Sequence, residues 1–457
     1  MFPTDEVGSD AVTALLFAVA VLGLLVLAGV VLRLLVPALR RLFVPAALIG
    51  GILGAALGPY GAGLFPEGLV DTWSALPGVL ITVVFAPMLI GVALPSGRAS
   101  YRLIAPQLFL GYMYDFLMIG LPMVLCAAVL IPVFGLDPLF GLVIEIGWPG
   151  GHGTAAGMEP VLSDLGWSDG GSLALASATA GLLFGIVGGM IMINVAARRG
   201  HIAAAAGASA DAPEILSEEN RPSMGRVTLN KDLVDGLAFH GTLIAVAILI
   251  GWVLQYLVEL VLPGMPLFPL AMIGGGIVQA VVSRTRLGDA VDVGSLRAIQ
   301  GLALDLLVVS AVASIALPAV LANIVPLMIL FVLAAVIAVG FFYWAGPRLF
   351  RENWVEMSIA TFGTMTASGS VGLMLLRTVD PDFRTDAARA YALRAPFLSP
   401  FVGGGLLTAV LPLIVISYGP MALGVGALVA TVVLYVLARV LGFWRSPASR
   451  NAAVTTG

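Results

Sequence analysis

Apolar runs long enough to cross a lipid bilayer recur from one end of the chain to the other. Residues 11–32, 238–262 and 421–441 are examples, and each exceeds the roughly 18 residues with which a helix crosses the hydrocarbon layer. Of the 457 residues, 60% are hydrophobic and only 11% are charged, so polar side chains are too few to cover a water-soluble fold. The sequence therefore predicts an all-α polytopic membrane protein in a lipid bilayer, with no nucleic-acid partner.

We predict eleven membrane spans and two interrupted apolar segments. The spans lie at residues 11–35, 42–58, 74–94, 104–133, 172–197, 236–262, 266–282, 298–320, 326–345, 395–417 and 421–443. The interrupted segments lie at about 139–162, around Gly150-Gly151-His152-Gly153, and at about 355–376, around Gly363, Gly369 and Gly372. Each is expected to be a re-entrant hairpin, which enters and leaves the membrane on the same side.

Basic residues indicate which side of the membrane each loop occupies, because Lys and Arg next to spans are retained in the cytoplasm. With the N-terminus outside and the C-terminus cytoplasmic, all 22 basic residues fall on or next to the cytoplasmic side. The outer loops carry acidic residues instead, among them Glu67, Asp137 and Asp169. If both interrupted segments were full crossings, the basic residues from Arg198 to Arg351 would lie outside. The charge pattern therefore favours two hairpins.

Short segments of the first half recur in the second half in the same order. Three gapless matches pair residues 42–52 with 267–277, 151–157 with 363–369, and 187–189 with 402–404. The first match places Phe43 opposite Phe268, and the second repeats the pattern Gly-x-x-Thr-Ala-x-Gly. Each half thus contains four spans, a hairpin and a fifth span. An odd number of crossings inverts the second half relative to the first, as in many transporters.

We accordingly divide the chain into two inverted five-helix repeats and a C-terminal addition. The first repeat comprises residues 1–200 and the second comprises residues 233–417. Between them, residues 201–232 are polar and rich in alanine, as expected of a flexible cytoplasmic linker. Residues 418–457 contain one extra transmembrane helix and the tail, without a counterpart in the first half.

Polar residues and glycines at the two hairpin tips are the first candidates for a binding site. Interrupted backbone at membrane depth persists only where it is buried in protein or lines a wet cavity. There, the N–H groups of a helix N-terminus attract a carboxylate, and freed carbonyls with Thr hydroxyls bind Na⁺. The candidate substrate-binding residues are Gly151, His152, Gly153, Thr154, Thr364, Thr366, Ser368 and Arg394. The alternatives are glycines that serve only helix packing, a structurally hydrogen-bonded His152, and an Arg394 that only anchors a span.

Acidic side chains inside membrane spans cost about 2.5–3.5 kcal/mol on insertion scales and therefore need a role. Asp115, Glu145 and Asp305 are such residues. The spacing of Asp305, Ser310 and Ser314 predicts one cation-coupling face of a helix. The candidate Na⁺ ligands are Asp305, Thr154, Thr366 and Ser310. The alternative for each acid is a structural hydrogen bond between helices.

The run Gly150-Gly151-His152-Gly153-Thr154-Ala155-Ala156 resembles the first re-entrant region of the bacterial sodium/glutamate symporter family. With the span order, the linker and both interrupted segments, the resemblance covers about residues 10–417. It implies a homodimeric secondary transporter of the bacterial inner (cytoplasmic) membrane, in which a mobile domain carries both hairpins past a fixed scaffold. It also implies Na⁺-coupled symport of glutamate or a related anionic amino acid by elevator-type alternating access.

The second interrupted segment departs from the pattern of that family. The family typically has a Pro-Thr-Pro-Thr-Ala run where this chain reads Gly363-Thr364-Met365-Thr366-Ala367-Ser368, so both threonines keep their places and the prolines are absent. The difference leaves open a Na⁺- or H⁺-coupled di- or tricarboxylate transporter, because citrate-type carboxylate symporters have a related fold.

Two other classes compete with a transporter. An intramembrane enzyme is not expected, because residues 286–289 lack the first glycine of the Gly-x-Gly-Asp motif of aspartyl proteases, and Ser368 and His152 fall on opposite hairpins. A channel commonly has one short filter per subunit, whereas two hairpins that enter from opposite faces suit alternating access. Cys126 is the single cysteine, which excludes disulfides and thiolate metal sites.

Overall fold

The computed structural model describes residues 8–41, 44–92, 98–202, 223–230, 232–260, 265–380 and 385–445. Every regular element within these ranges is helical and none is a strand, which confirms the predicted all-α class. Phe43, from the first repeat match, and most of the predicted linker 201–232 lie outside the described residues.

The described helices range from single turns to stretches that cross a bilayer. In chain order they are α1 (Ser9–Leu35), α2 (Pro37–Arg41), α3 (Ala46–Leu57), α4 (Glu67–Phe85), α5 (Arg98–Leu125), α6 (Ile131–Phe134), α7 (Leu142–Gly147), α8 (Gly151–Asp164), α9 (Gly170–Arg198), α10 (Gly236–Glu259), α11 (Leu267–Val282), α12 (Val293–Ala313), α13 (Leu317–Ala322), α14 (Ile324–Leu349), α15 (Trp354–Thr366), α16 (Gly369–Val379), α17 (Ala387–Leu398), α18 (Leu406–Tyr418) and α19 (Pro420–Val440). A π-helical turn at Cys126–Leu130 joins α5 to α6, and 3-10 turns lie at Ala86–Leu89 and Arg286–Ala290.

Eight stretches within the described part of the chain are long and apolar enough to cross a membrane. They are α1, α4 with its 3-10 turn, α5 continued to Phe134, α9, α10, α12, α14 and α19. Three shorter apolar helices, α3, α11 and α18, complete the series. Together these stretches lie at the positions of the eleven predicted spans, and the chain is a multi-pass membrane protein.

Two of the predicted spans are interrupted in the structure. The predicted span 395–417 contains parts of both α17 and α18, which a turn at residues 399–405 separates. The predicted span 298–320 ends as a helix at Ala313, and α13 begins separately at Leu317. Apolar composition conceals such breaks because a turn of three to seven residues ends the helix while the flanking residues keep the segment apolar.

Contacts between Cα atoms divide the chain into two compact units. The first unit draws on Met1–Ala93, His152–Leu175 and Ala210–Ala319, and the second on Leu94–Gly151, Ala176–Ser209 and Val320–Gly457. Each unit therefore takes helices from both predicted repeats, because packing joins helices that are distant in the chain.

In the first unit, two helix pairs pack in the same manner. Helix α1 packs on α3, and α10 packs on α11. Buried residues of each pair belong to a hydrophobic cluster. One cluster centres on Leu22, Ala47 and Trp73, and the other centres on Ala247 and Ala271.

The two pairs of the first unit also make reciprocal contacts with the following helices. Helix α3 packs on α12, and α11 packs on α4 and its 3-10 turn. Glycines permit both approaches: a Cβ atom at Gly51 would lie 2.6 Å from Val312 Cβ, and one at Gly276 would lie 3.2 Å from Leu89 Cδ1. The second helix of each half therefore contacts the third apolar helix of the other half.

In the second unit, helix α5 is the common packing partner of α7, α14, α15, α17 and α19. The Gln107 amide, which is 1% exposed, ties α5 to α15 by donating from Nε2 to the Met357 carbonyl oxygen at 2.7 Å. The Tyr112 hydroxyl ties the same helix to α17 by donating to the Phe397 carbonyl oxygen at 2.6 Å. Buried polar side chains on α5 therefore lie close to several other helices of the second unit.

The end of the predicted flexible linker is held by hydrogen bonds to the first unit. The Thr228 hydroxyl donates to the Ala290 carbonyl oxygen at 2.6 Å, and the Arg226 N–H donates to the Asp292 carboxylate at 3.1 Å. Asp292 is also the N-cap of α12 and accepts from the Ser295 N–H at 2.8 Å, which lowers the pKa of its carboxyl group. Residues 223–230 are thus attached to the first unit by hydrogen bonds.

Candidate functional site

The helices of both interrupted segments break close to the predicted interruptions, although Gly363 and Gly372 lie inside helices. In the second segment, α15 ends at Thr366 and α16 begins at Gly369, and Ser368 between them has an extended backbone. The Ser368 hydroxyl caps α16 by accepting from the Val371 N–H at 3.4 Å. We call residues 366–369 the second break. The N–H groups of the first turn of α16 therefore face this break.

The first break comprises residues 147–151, between α7 and α8. Gly151 has a backbone φ of +66°, a conformation that residues with a Cβ rarely adopt. A Cβ atom on Gly151 would lie 2.7 Å from the Ala367 carbonyl oxygen. The structure thus brings the two breaks into contact within the second unit, although they are more than 200 residues apart in the chain.

Helix α9 packs closely against the second break. A Cβ atom at Gly185 would lie 2.6 Å from Thr366 Oγ1, so only a glycine allows this approach. The Thr366 side chain is fully buried, and its hydroxyl donates to the Phe362 carbonyl oxygen at 2.9 Å. The lone pairs of Thr366 Oγ1 are not used by this bond and remain available to a cation.

Arg394 on α17 lies beside the second break and is almost completely buried, with 2% exposure. Its guanidinium carbon lies 4.5 Å from the ring centroid of Tyr391, and its Nη1 atom has no hydrogen-bond partner among the described residues. The Tyr391 hydroxyl lies 2.9 Å from Thr364 Oγ1 and 3.2 Å from the Gly369 carbonyl oxygen. Tyr391 therefore connects the arginine to both helices of the second interrupted segment.

Sequence reasoning missed Tyr391. The available signal was the Tyr391-x-x-Arg394 spacing, which places an aromatic ring and a guanidinium one turn apart on the same helix face. Such spacing becomes informative only when the arginine is known to be buried, because exposed pairs of this kind are common.

Five other predicted site residues belong to the first unit and take no part in the contacts just described. These residues are His152, Gly153, Thr154, Asp305 and Ser310. Thr154 is 2% exposed, and a Cβ atom at Gly153 would lie 3.2 Å from Leu304 Cδ1, next to Asp305 in the chain. Helices α8 and α12 therefore approach each other at this point.

The predicted cation-coupling residues of α12 do not lie on one face of the helix in the structure. Asp305 is exposed, whereas Ser310 is fully buried and donates its hydroxyl to the Leu307 carbonyl oxygen at 3.0 Å. Five residues correspond to about 140° around an α-helix, so the two side chains leave the helix in different directions. Ser314 also bonds to its own helix, because its hydroxyl donates to the Ser310 carbonyl oxygen at 3.0 Å.

Comparison with known proteins identifies the family. A comparison with curated proteins gives no match. The family described as sodium/glutamate symporter matches residues 9–354, which is most of the chain. The match ends at the start of α15, rather than near residue 417 as the resemblance suggests, so the second break and Arg394 lie beyond it. The chain therefore belongs to the sodium/glutamate symporter family, as a membrane transporter whose coupling ion is Na⁺.

Proposed function

We propose that this symporter takes up glutamate, or a related anionic amino acid, and binds the substrate carboxylate at the second break. The observation that carries the proposal is the buried Arg394, whose Nη1 atom has no hydrogen-bond partner within the described ranges. A buried guanidinium without an anionic partner is costly, and a substrate carboxylate removes that cost. The planar guanidinium group can donate two parallel hydrogen bonds to one carboxylate.

The groups around Arg394 give the proposed site its orientation. The Tyr391 ring holds the guanidinium plane, while the Tyr391 and Thr364 hydroxyls lie at hydrogen-bonding distance from each other. The first turn of α16 adds N–H groups and the positive end of a helix dipole, which favour a carboxylate at Ser368. The amino acid thus meets one cation, two hydroxyls and a helix N-terminus.

Na⁺ is proposed to bind at oxygen atoms close to the same break. Thr366 Oγ1 donates its proton to the Phe362 carbonyl oxygen and so presents lone pairs to a cation. Thr154, at the matching position of the first half, belongs to the first unit and is a separate candidate. Asp305 remains a candidate on its own, without Ser310 on the same face.

The inverted repeat is part of the proposal and is supported by the reciprocal packing in the first unit. Gly51 against Val312 and Gly276 against Leu89 pair the corresponding helices of the two halves in both directions. We further propose that both breaks move together in elevator-type alternating access, that the protein is a homodimer in a bacterial inner membrane, and that the interrupted segments are re-entrant hairpins. The contact between Gly151 and the Ala367 carbonyl oxygen favours movement of the breaks as one body.

The test is uptake of radiolabelled glutamate into proteoliposomes with an inward Na⁺ gradient, an inward H⁺ gradient, or neither. We expect saturable uptake driven by the Na⁺ gradient, and loss of affinity in Thr364→Val but not in Thr378→Val, a matched change one helix further along. The absent prolines at residues 363–368 make a di- or tricarboxylate the second candidate. Na⁺-dependent uptake of citrate or malate without glutamate uptake would favour it, and no saturable uptake of any of them would contradict the proposal.

A further inference from the structure

Two carboxyl groups meet in the interior of the second unit. Asp115 lies on α5, Glu145 lies on α7, and both side chains are fully buried, with 0% exposure. The Asp115 carboxyl group adjoins the Glu145 carboxyl group within range of a side-chain hydrogen bond. Because α7 ends at the first break, the pair lies next to one of the two interruptions.

Hydrogen bonds from α18 and the turn before it fix the role of one Glu145 oxygen. The Gly404 N–H donates to Thr408 Oγ1 at 3.0 Å, and Thr408 Oγ1 donates to Glu145 Oε1 at 2.9 Å. The threonine proton is therefore directed at Glu145, and Oε1 is an acceptor. Glu145 Oε2 and both carboxyl oxygens of Asp115 have no donor among the residues described.

The neighbouring elements supply no ion pair to either acid within the described part of the chain. The other titratable or charged residues on α5, α7 and the helices that pack against them are Arg98, Tyr101, Arg102, Tyr112 and Tyr114 on α5, Tyr343 and Arg348 on α14, Glu356 on α15, Arg389, Tyr391 and Arg394 on α17, Tyr418 on α18, and Tyr435 and Arg439 on α19. The Tyr112 hydroxyl is committed to the Phe397 carbonyl oxygen. Gly111 lies one helical turn before Asp115 on α5. A Cβ atom at Gly111 would lie 3.5 Å from Arg394 Nη1.

Two adjacent carboxylates in a buried site repel each other and cannot both ionise. One proton shared between an Asp115 oxygen and Glu145 Oε2 removes the repulsion and satisfies two of these three oxygens. We propose that Asp115 and Glu145 form a proton-binding site that holds one shared proton. Its significance for transport rests on the proposed function: Gly403, next to the hydrogen-bonded Gly404, packs so closely on the first break that a Cβ atom there would lie 2.7 Å from the Pro149 carbonyl oxygen, so loss of the proton would disturb this packing.

Infrared spectroscopy of the purified full-length protein tests the site without any transport measurement. A protonated carboxyl group has a carbonyl-stretching band that a carboxylate lacks. We expect such a band in the wild type at neutral pH and its loss in the double variant Asp115→Asn/Glu145→Gln. If the double variant does not fold, Asp115→Asn and Glu145→Gln are measured singly, and the band should shift or disappear in each because each removes one of the two groups that share the proton.

Two control variants distinguish this pair from other acids. Asp292→Asn removes a carboxylate that its hydrogen bonds hold ionised, and Glu159→Gln removes a different acid with a buried, unpartnered oxygen. The band assigned to the pair must persist in both. A wild-type spectrum identical to that of the double variant would overturn the proposal. Absence of glutamate uptake would contradict the proposed function while leaving the infrared result, and hence the proton site, intact.

Discussion

Arg394 is a buried arginine that the Tyr391 ring orients and that no described residue neutralises with an ion pair. Replacing it by Lys keeps the positive charge and removes the planar fork, so a residue that only anchors a span would tolerate the change. We expect Arg394→Lys to lose about 1.5–3 kcal/mol of substrate binding, the usual contribution of a hydrogen bond to a charged group, which raises the KM for glutamate roughly 10- to 100-fold. The measurement is the concentration dependence of Na⁺-driven uptake into proteoliposomes.

Arg389→Lys is the matched control for that prediction. Arg389 lies on the same helix, α17, but its side chain is exposed. Its replacement should leave the KM within about twofold of the wild type, as is usual for exposed charges far from a binding site. Equal effects of the two variants would indicate a general role of positive charge on this helix and would contradict a carboxylate site at Arg394.

Gly403 combines a left-handed backbone with a close contact at the first break. Its φ is +65°, and a Cβ atom there would lie 2.7 Å from the Pro149 carbonyl oxygen. Gly135 has the same φ of +65°, but a Cβ atom there would meet nothing within 4 Å. Both substitutions by Ala carry the backbone cost of about 1–2 kcal/mol, and Gly403→Ala should lose about 1–3 kcal/mol more through overpacking. Thermal unfolding midpoints in one detergent measure the difference, and equal midpoints would show that the contact is unimportant.

At the level of elements, small residues set how closely the paired helices approach. A Cβ atom at Gly50 would lie 2.7 Å from the Leu25 carbonyl carbon, and one at Gly274 would lie 3.1 Å from the Ala247 carbonyl carbon. Both contacts join the first helix of a half to the second, in the pairs α1–α3 and α10–α11, but they stand one residue out of register, because the sequence match pairs Gly50 with Gly275. They explain why a membrane helix at these positions contains glycine rather than a larger apolar residue.

Parallel substitutions in the two helix pairs test whether the pairs are equivalent. We expect Gly50→Ala and Gly274→Ala each to destabilise the protein by about 1–3 kcal/mol, because the added methyl group meets backbone that cannot move independently. Gly23→Ala and Gly241→Ala, on α1 and α10, meet nothing within 4 Å and should change stability by less than about 1 kcal/mol. Thermal unfolding in detergent provides the comparison. A loss confined to one pair would contradict the equivalence that an inverted repeat requires.

At the level of the whole molecule, the proposed topology assigns a side of the membrane to each exposed loop. Cys126 is buried, so Cys126→Ala gives a background in which introduced cysteines are labelled one at a time. Tyr60, Tyr418, Met224 and Leu441 are suitable positions, with exposures of 59%, 76%, 78% and 49%. With an impermeant maleimide on intact cells, Tyr60→Cys and Tyr418→Cys should react, whereas Met224→Cys and Leu441→Cys should react only after permeabilisation.

Met224→Cys is the decisive variant of that set. If the first interrupted segment were a full crossing, residue 224 would lie outside and would react in intact cells, while the labelling of Tyr60→Cys would stay the same. If residues 355–376 were also a full crossing, the loops after residue 376 would lie on the same sides as in the proposed topology. Labelling of Met224→Cys in intact cells would therefore refute the hairpin at 139–162, and Tyr418→Cys and Leu441→Cys serve as controls.

The sequence by itself determined the helical class, the positions of the apolar stretches and the family. These properties are local: a helix of given length and apolarity suits a bilayer wherever it occurs, and a Gly-Gly-His-Gly-Thr run is recognisable without its neighbours. Local reasoning also located the helix breaks at residues 147–151 and 366–369, since glycines that interrupt an apolar run mark them. It failed at residues 399–405 and 314–316, where apolar composition continues through a turn.

Only the tertiary structure decided which groups meet. Gly151 touches the carbonyl oxygen of Ala367, Tyr391 joins Arg394 to Thr364, and Asp115 adjoins Glu145, although each contact joins different helices. Sequence spacing placed Asp305 and Ser310 together because they share a helix, and helical rotation separates them. The physical reason is that side-chain direction and burial depend on how helices pack, and packing joins residues whose separation in the chain carries no information about it.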